Sequence, residues 1–385
     1  MNILQICDYA AKYRGNFIES LEYFRKSFLS GGDSMIYAFP DRMLKRNNQW
    51  YIDLSKETPT AIYKSSVKEK IKAFRKIIKE NGIDIVHTHF TDLKTDICIS
   101  IACFGLHVKK FKHYRSSFGR FGAVKKFFAR LCYRKWNAVL CVSPHIMREA
   151  ESNIVSCKPV LLNDAVYFPR MDDYEKLSKT DLGFPENSVL CLAIGYDYRL
   201  KGIDISCAAV KKLREKGQNM CLAVCTASNT ETIAGQIEAQ FGEFPEWIRL
   251  LPPRQDIASY YRAADIYIQS SRSEGFCYAI VEAAYCGKVV AASDCPGMKS
   301  HAEHNFNFLW FKNGDSDSLA EELEEAVKIA TQSFLRKTGV RLLKTTRWKA
   351  WQKSCIAYIQ ICNNSKAGKV FYDSPGLIFI FAVIF

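Results

Sequence analysis

No Cys-x-x-C pair occurs among the 15 cysteines, and no framework spacing links them. That argues against a disulfide-stapled scaffold or a zinc ribbon. Many of the cysteines (Cys7, Cys141, Cys191, Cys221, Cys225) sit inside apolar strand or helix runs, the usual place for reduced, buried thiols. No apolar run approaches the roughly 20 residues that a membrane-spanning helix needs. The longest, Gly376–Phe385, has ten residues after Asp373-Ser-Pro375 and reads as a membrane-dipping tail or an altered C-terminus. No signal-peptide pattern precedes the strand-like Asn2–Cys7, so a reducing cytosol is the expected compartment. Acidic residues are missing altogether between His107 and Trp136.

What is present suits a globular α/β protein. The 385 residues are 48% hydrophobic and 24% charged, enough for two domains with separate cores. The net charge of +14 is uneven: residues 1–180 hold 31 Lys and Arg against 18 Asp and Glu, residues 181–385 hold 23 against 22. Within the first half, residues 107–136 interleave Lys109, Lys112, Arg120, Lys125, Lys126 and Arg130 with Phe118, Phe121, Phe127 and Phe128. From about Phe121 this segment scans as a helix with aromatic and basic faces. Such a helix can lie on an anionic bilayer, gaining about 1 kcal/mol per basic residue near the surface. A solvated basic face over a buried aromatic stripe is the competing reading. Nucleic acid would suit the charge, but no RNA- or DNA-binding module accompanies it.

Along the chain, strands alternate with helices, the pattern of parallel-sheet units. Asn2–Cys7 is a strand, followed by a loop to Gly15 and an amphipathic helix over Asn16–Ser30. Asp84–His89 is a strand ending in His87-Thr-His89, with no further ligands at metal spacing, so no metal is expected. Ser188–Gly195 opens a second sheet after a polar, turn-rich stretch. The loop that follows carries Arg199 and Lys201, two cations placed to neutralise a diphosphate as it gathers charge. Asp315-Ser-Asp317 reads as a helix start rather than a metal motif.

The most informative stretch lies between the strands Ala264–Gln269 and Lys288–Ala292. Glu274-Gly275-Phe276 falls on a strand-to-helix turn, where free backbone N–H groups attract anions. Glu282 lies eight residues on, two helical turns down on nearly the same face, and Gly287 closes the helix. Carboxylates for hydroxyls and amides for phosphate suit a nucleotide sugar.

This stretch, Glu274-Gly275-Phe276-Cys277…Glu282-Ala283…Gly287-Lys288-Val289-Val290, resembles the signature of retaining GT-B glycosyltransferases of family 4. The resemblance implies two Rossmann-like domains facing across a cleft, with a C-terminal helix crossing back to the N-terminal domain. It divides the chain into an acceptor- and membrane-facing domain (1–170), a linker (171–187), a nucleotide-sugar-binding domain (188–345), a crossover helix (346–363) and an apolar tail (364–385). It also implies metal-independent transfer with retention, with no cofactor beyond a UDP- or GDP-sugar substrate. Lipid-linked or glycan acceptors, in surface polysaccharide or glycolipid synthesis, would be met at the inner face of the plasma membrane. By the same resemblance Glu274 meets sugar hydroxyls, Gly275, Phe276 and Cys277 the phosphate or sugar, and Glu282 the ribose. Lys201 and Arg199 hold the leaving diphosphate, His113 the sugar or acceptor side, and Gly15 the donor phosphate or acceptor.

The pattern departs from the family at Cys277 (usually Gly), at Arg14 before Gly15 (Gly-Gly), at Tyr196 (Arg) and at Asp164 after Asn163 (Gly). Two further readings stand beside the transferase. A sugar-nucleotide epimerase on the same fold would need general acid/base groups in the cleft, of which the sequence shows no clear set. A non-catalytic nucleotide-sugar or glycan-binding protein would tolerate the departures.

Overall fold

Strands as apolar as Ile3-Leu4-Gln5-Ile6 need cover on both faces, which only a parallel sheet sandwiched by helices supplies. The structure, a computed structural model, describes residues 1–331 apart from 30, 47, 155, 158, 165, 228–229 and 300–307. The expected crossover helix (346–363) and apolar tail (364–385) lie outside the described residues. Two compact units meet in sequence at Ala165/Val166.

The first unit carries a seven-stranded parallel sheet: β1 (Asn2–Cys7), β2 (Ser34–Pro40), β3 (Thr60–Tyr63), β4 (Ile85–His89), β5 (Lys109–Tyr114), β6 (Ala138–Cys141) and β7 (Pro159–Leu161). Its order is β3-β2-β1-β4-β5-β6-β7. Helices α1 (Asn16–Phe28), α2 (Gln49–Glu57), α3 (Val67–Glu80), α4 (Leu93–Ala102), α5 (Ala123–Tyr133) and α6 (Pro144–Asn153) connect the strands. Three begin on sequence-legible caps: Ser66, Asp92 and Ser143 each accept a backbone N–H three residues on. The core gathers Ile3, Phe39, Ile85, Phe111 and Leu140, all essentially buried. Truncating such a side chain typically costs about 2–5 kcal/mol.

The second unit has six parallel strands: β8 (Val189–Ile194), β9 (Met220–Cys225), β10 (Ile248–Leu251), β11 (Ile266–Gln269), β12 (Val289–Ser293) and β13 (Phe308–Phe311), in the order β10-β9-β8-β11-β12-β13. Its helices are α7 (Ile203–Glu215), α8 (Thr230–Phe241), α9 (Ala258–Ala263), α10 (Tyr278–Tyr285), α11 (Pro296–Lys299) and α12 (Ser316–Thr331). Asp315 accepts the N–H groups of Asp317 and Ser318, so it caps α12.

Residues 171–187, expected as a linker, are tied into this unit. Asp172 accepts from the Tyr285 hydroxyl at 2.9 and 2.8 Å, Lys179 pairs with Asp265 at 2.6 Å, and Glu175 pairs with Arg254. Phe168 stacks on Tyr285 with ring centroids 4.6 Å apart, so the chain joins this unit ahead of the expected boundary at 170. Strand order reverses between β8 and β11 here, and between β1 and β4 in the first unit. Loops leaving such adjacent strands in opposite directions open a crevice at the strands' carboxyl ends, where ligands of doubly wound sheets bind.

Candidate active site

Two loops flank the reversal in the second unit. The one after β8 brings Lys201; the one after β11 brings Glu274. The Lys201 ammonium donates to Glu274 Oε1 at 2.7 Å, with the two side chains 16% and 10% exposed. The same oxygen accepts from the Ser271 hydroxyl at 2.6 Å and the Gln269 amide at 3.2 Å. Burial works against the Lys201 charge, but the Glu274 carboxylate outweighs it and holds Lys201 above its ordinary range. The ammonium also lies 5.3 Å from the centroid of the Tyr196 ring, so the Tyr196 departure supplies a cation–π face.

Arg199 is 72% exposed and donates to Asp204 at 2.7 Å. Arg272 donates to both Asp204 oxygens, at 2.8 and 2.9 Å. Arg272 was not singled out in the sequence, although it stands two residues before Glu274 in the same loop. The rim therefore carries a guanidinium pair anchored on one carboxylate beside the Lys201–Glu274 pair.

Two glycines allow close backbone approach around these loops. Gly202 has φ +65, and a Cβ there would fall 1.9 Å from the Ser270 carbonyl oxygen. A Cβ on Gly297, at the start of α11, would fall 1.7 Å from the carbonyl oxygen of Glu274 itself. Gly297→Ala should therefore displace the Glu274 loop and lower stability by about 1–3 kcal/mol, read by urea unfolding. An unchanged midpoint would contradict this packing.

Gly275, Phe276 and Cys277 are buried and lead into α10. Cys277 is its N-cap, at φ 55 and ψ 78, a left-handed conformation that favours glycine. The departure from the family's Gly thus carries strain, and burial pushes its thiol well up. Cys277→Gly is expected to be more stable than Cys277→Ala by roughly 1 kcal/mol in thermal unfolding. Equal stability would show the backbone relaxed.

Glu282 is buried on α10. It accepts from Arg170 at 2.9 Å and from the Tyr261 hydroxyl at 3.2 Å. Arg170, 112 positions away in sequence, gave no signal beforehand.

In the first unit the β4–β5 register sets His89 beside His113. His87, His89 and His113 form a buried cluster whose ligand-type nitrogens lie within 4.8 Å of one another, so a third histidine does join His87-Thr-His89. Arg115 contacts two of the three rings. It donates to Nδ1 of His89 at 3.1 Å and lies 3.2 Å from Nδ1 of His113, and it pairs with Asp164. The Nε2 atoms are committed to Gln5 Oε1 at 2.7 Å and to the Leu162 carbonyl at 3.2 Å. Both ring nitrogens of His89 and of His113 thus have protein partners in this structure. Burial first, then Arg115 and Lys112, joined by the neighbouring rings for His89 and His113, push all three imidazoles well below their ordinary range. His113 is 3% exposed, so it faces Arg115 rather than open solvent. Gly15 N-caps α1, and a Cβ there would lie 2.8 Å from the Tyr9 hydroxyl.

The profile of the family described as Glycosyl transferases group 1 matches residues 175–337. Over 76 residues the chain is 32% identical to N,N'-diacetylbacillosaminyl-diphospho-undecaprenol alpha-1,3-N-acetylgalactosaminyltransferase of Campylobacter jejuni, 20% of either chain. The matched segments span between 20% and 43% of the curated relatives' own lengths. A glycosyltransferase from Rickettsia africae superposes with TM-score 0.75 at 18% identity, covering 94% of this chain and 99% of that one. Anabaena HepE, solved in complex with UDP-glucose, superposes with TM-score 0.74 at 16% identity, covering 94% and 100%. Over residues 175–337 the chain is thus similar to glycosyl transferases group 1, and its two parallel-sheet units have the fold of GT-B glycosyltransferases.

Proposed function

We propose that the protein is a glycosyltransferase that moves a sugar from a nucleotide-sugar donor to an acceptor hydroxyl, with retention and without a metal ion. The observation that carries this reading is the Lys201–Glu274 pair at the strand-order reversal, rimmed by Arg199 and Arg272. The bond from the anomeric carbon to the diphosphate breaks, a glycosidic bond forms on the same face, and the hydroxyl proton leaves with the phosphate oxygen. Lys201 and Arg199 neutralise the charge that grows on the diphosphate. Glu274 accepts from sugar hydroxyls, while the amides of Gly275, Phe276 and Cys277 meet the phosphate or sugar. Glu282 keeps acceptor capacity for the ribose beside Arg170 and Tyr261. His113 works through Arg115 as a positioning residue, and Gly15 stands at the reversal of the first sheet. Positioning and leaving-group stabilisation carry the chemistry.

UDP- or GDP-sugars are the expected donors, and HepE's bound UDP-glucose supports the former. A lipid-linked or glycan acceptor in surface polysaccharide or glycolipid synthesis is supported by a relative whose name specifies diphospho-undecaprenol. A cytoplasmic site at the inner membrane face, contacted through residues 107–136, completes the reading. Among the described residues no helix is long and apolar enough to cross a membrane.

The test is nucleotide release from a panel of UDP- and GDP-sugars, with and without lipid extract and EDTA, with the product's anomeric configuration read by NMR. Release from one donor that persists in EDTA, is lost in Glu274→Ala and gives a retained product is the expected result. An inverted product or loss in EDTA would overturn the mechanism. Nucleotide binding with no turnover on any donor would instead identify a binding protein.

A further inference from the structure

Helix α5 turns an apolar stripe to solvent. Val124, Phe127, Phe128 and Leu131, spaced as one helical face, are 72%, 59%, 48% and 54% exposed. The buried side of α5 is instead Ala129, Cys132 and Tyr133. The alternative of a buried aromatic stripe under a solvated basic face therefore fails for Phe127 and Phe128. Ile101 and Phe104, at and just beyond the end of α4, are also exposed large apolar side chains. Beside this stripe lies an open groove of about 760 Å³ whose lining includes Val67, Ile97, Ile101, Val124 and Phe128, with Lys94 and Lys125 as its two charged members. It runs between α3, α4 and α5, helices that follow the carboxyl ends of β3, β4 and β5. Lys126 and Arg130 continue the positive charge along α5.

We propose that this groove seats a hydrocarbon chain of an anionic membrane lipid, with the exposed stripe dipping into the bilayer around it. The idea rests on the membrane-facing role assigned above to residues 107–136 and gives it a specific occupant. Charge complementarity decides the partner. A second copy of the chain would set the groove's charged lining, Lys94 and Lys125, against itself, whereas anionic headgroups neutralise Lys94, Lys125, Lys126 and Arg130. A peptide would need hydrogen-bond partners for its backbone, and the apolar lining provides almost none; a hydrocarbon chain needs none. Nucleic acid would satisfy the cations but leave the apolar stripe in water.

The test is co-sedimentation of the full chain with phosphatidylcholine vesicles, with or without phosphatidylglycerol, in the absence of any nucleotide sugar. Wild type should bind only the anionic vesicles. Val124→Asp/Phe128→Asp, at exposed positions that do not threaten the fold, should weaken binding roughly a hundred-fold, the equivalent of two lost apolar insertions. Ile97→Trp, which fills the groove without changing charge, should weaken it about ten-fold. Near-UV circular dichroism should show every variant folded. If both variants bind like wild type while Lys125→Gln/Lys126→Gln does not, the basic face acts alone and the groove proposal is overturned. Absence of vesicle binding in wild type would overturn both the groove and the membrane-facing role. Loss of a dimer in Val124→Asp/Phe128→Asp, with no vesicle binding, would assign the stripe to a second copy instead.

Discussion

Lys201→Ala is expected to lower the rate constant of sugar transfer by about 10²- to 10³-fold, the effect of deleting one preorganised charge at a developing anion. The substitution has a second consequence. Glu274, 10% exposed, loses its cation, and a carboxylate stranded in that setting costs about 3–5 kcal/mol. The two effects separate in a double-mutant cycle. Lys201→Ala/Glu274→Ala should recover most of the lost stability, because neither charge is left alone, yet recover no turnover. Thermal unfolding beside initial rates reads both. Turnover in the single variant within a few-fold of wild type would remove Lys201 from the chemistry, and a double variant destabilised by the sum of the separate Lys201→Ala and Glu274→Ala losses would show that the pair is not coupled.

The second large effect is a loss of stability on mild acidification. His87, His89 and His113 are held neutral in the folded protein, with folded pKa values well below the ordinary imidazole range. The unfolded chain protonates them near pH 6.5 and so binds more protons than the native state below that pH. The stabilisation is therefore fully present above about pH 6.5 and declines as pH falls through and below it. Each imidazole contributes about 1.4 kcal/mol per pH unit, so three together approach a slope of about 4 kcal/mol per unit. Urea unfolding of the whole chain between pH 7.5 and 5.5 measures the slope, and His87→Phe should reduce it by close to one proton. A flat profile, or an unchanged slope in His87→Phe, would mean that the histidines take up protons without unfolding.

Much of this was legible from local pattern, and the rest was long-range. The strand–loop–helix units around Lys201 and Glu274 announce themselves through apolar runs, turn glycines and cations ahead of a helix, all within a few positions of one another. That the two loops meet is also foreseeable once the strand order reverses between β8 and β11. The partners of those side chains are not. Arg170 reaches Glu282 across 112 positions, Arg272 reaches Asp204 across 68, and Arg115 reaches Asp164 across 49. No periodicity encodes such pairs. The residue at 164, which breaks the family pattern, turns out to anchor the cation beside His113, so a departure from the motif carries structure of its own. His113 joins His87 and His89 only because β4 and β5 are neighbours in register. On α5 the limit is different: the helix is apolar on two sides, so spacing alone could not tell which side the sheet covers. The αL geometry at Cys277 was equally hidden, although the family's preference for glycine there was the clue.

The central claim is that the crevice between β8 and β11 binds the diphosphate of a nucleotide sugar. A crystal structure with the donor nucleotide bound tests it most directly. The account predicts the diphosphate within hydrogen-bond distance of the Lys201 ammonium and the amides of Gly275 to Cys277, with a ribose hydroxyl on Glu282. A nucleotide seated elsewhere, with the Lys201–Glu274 pair undisturbed and no phosphate beside it, would contradict it.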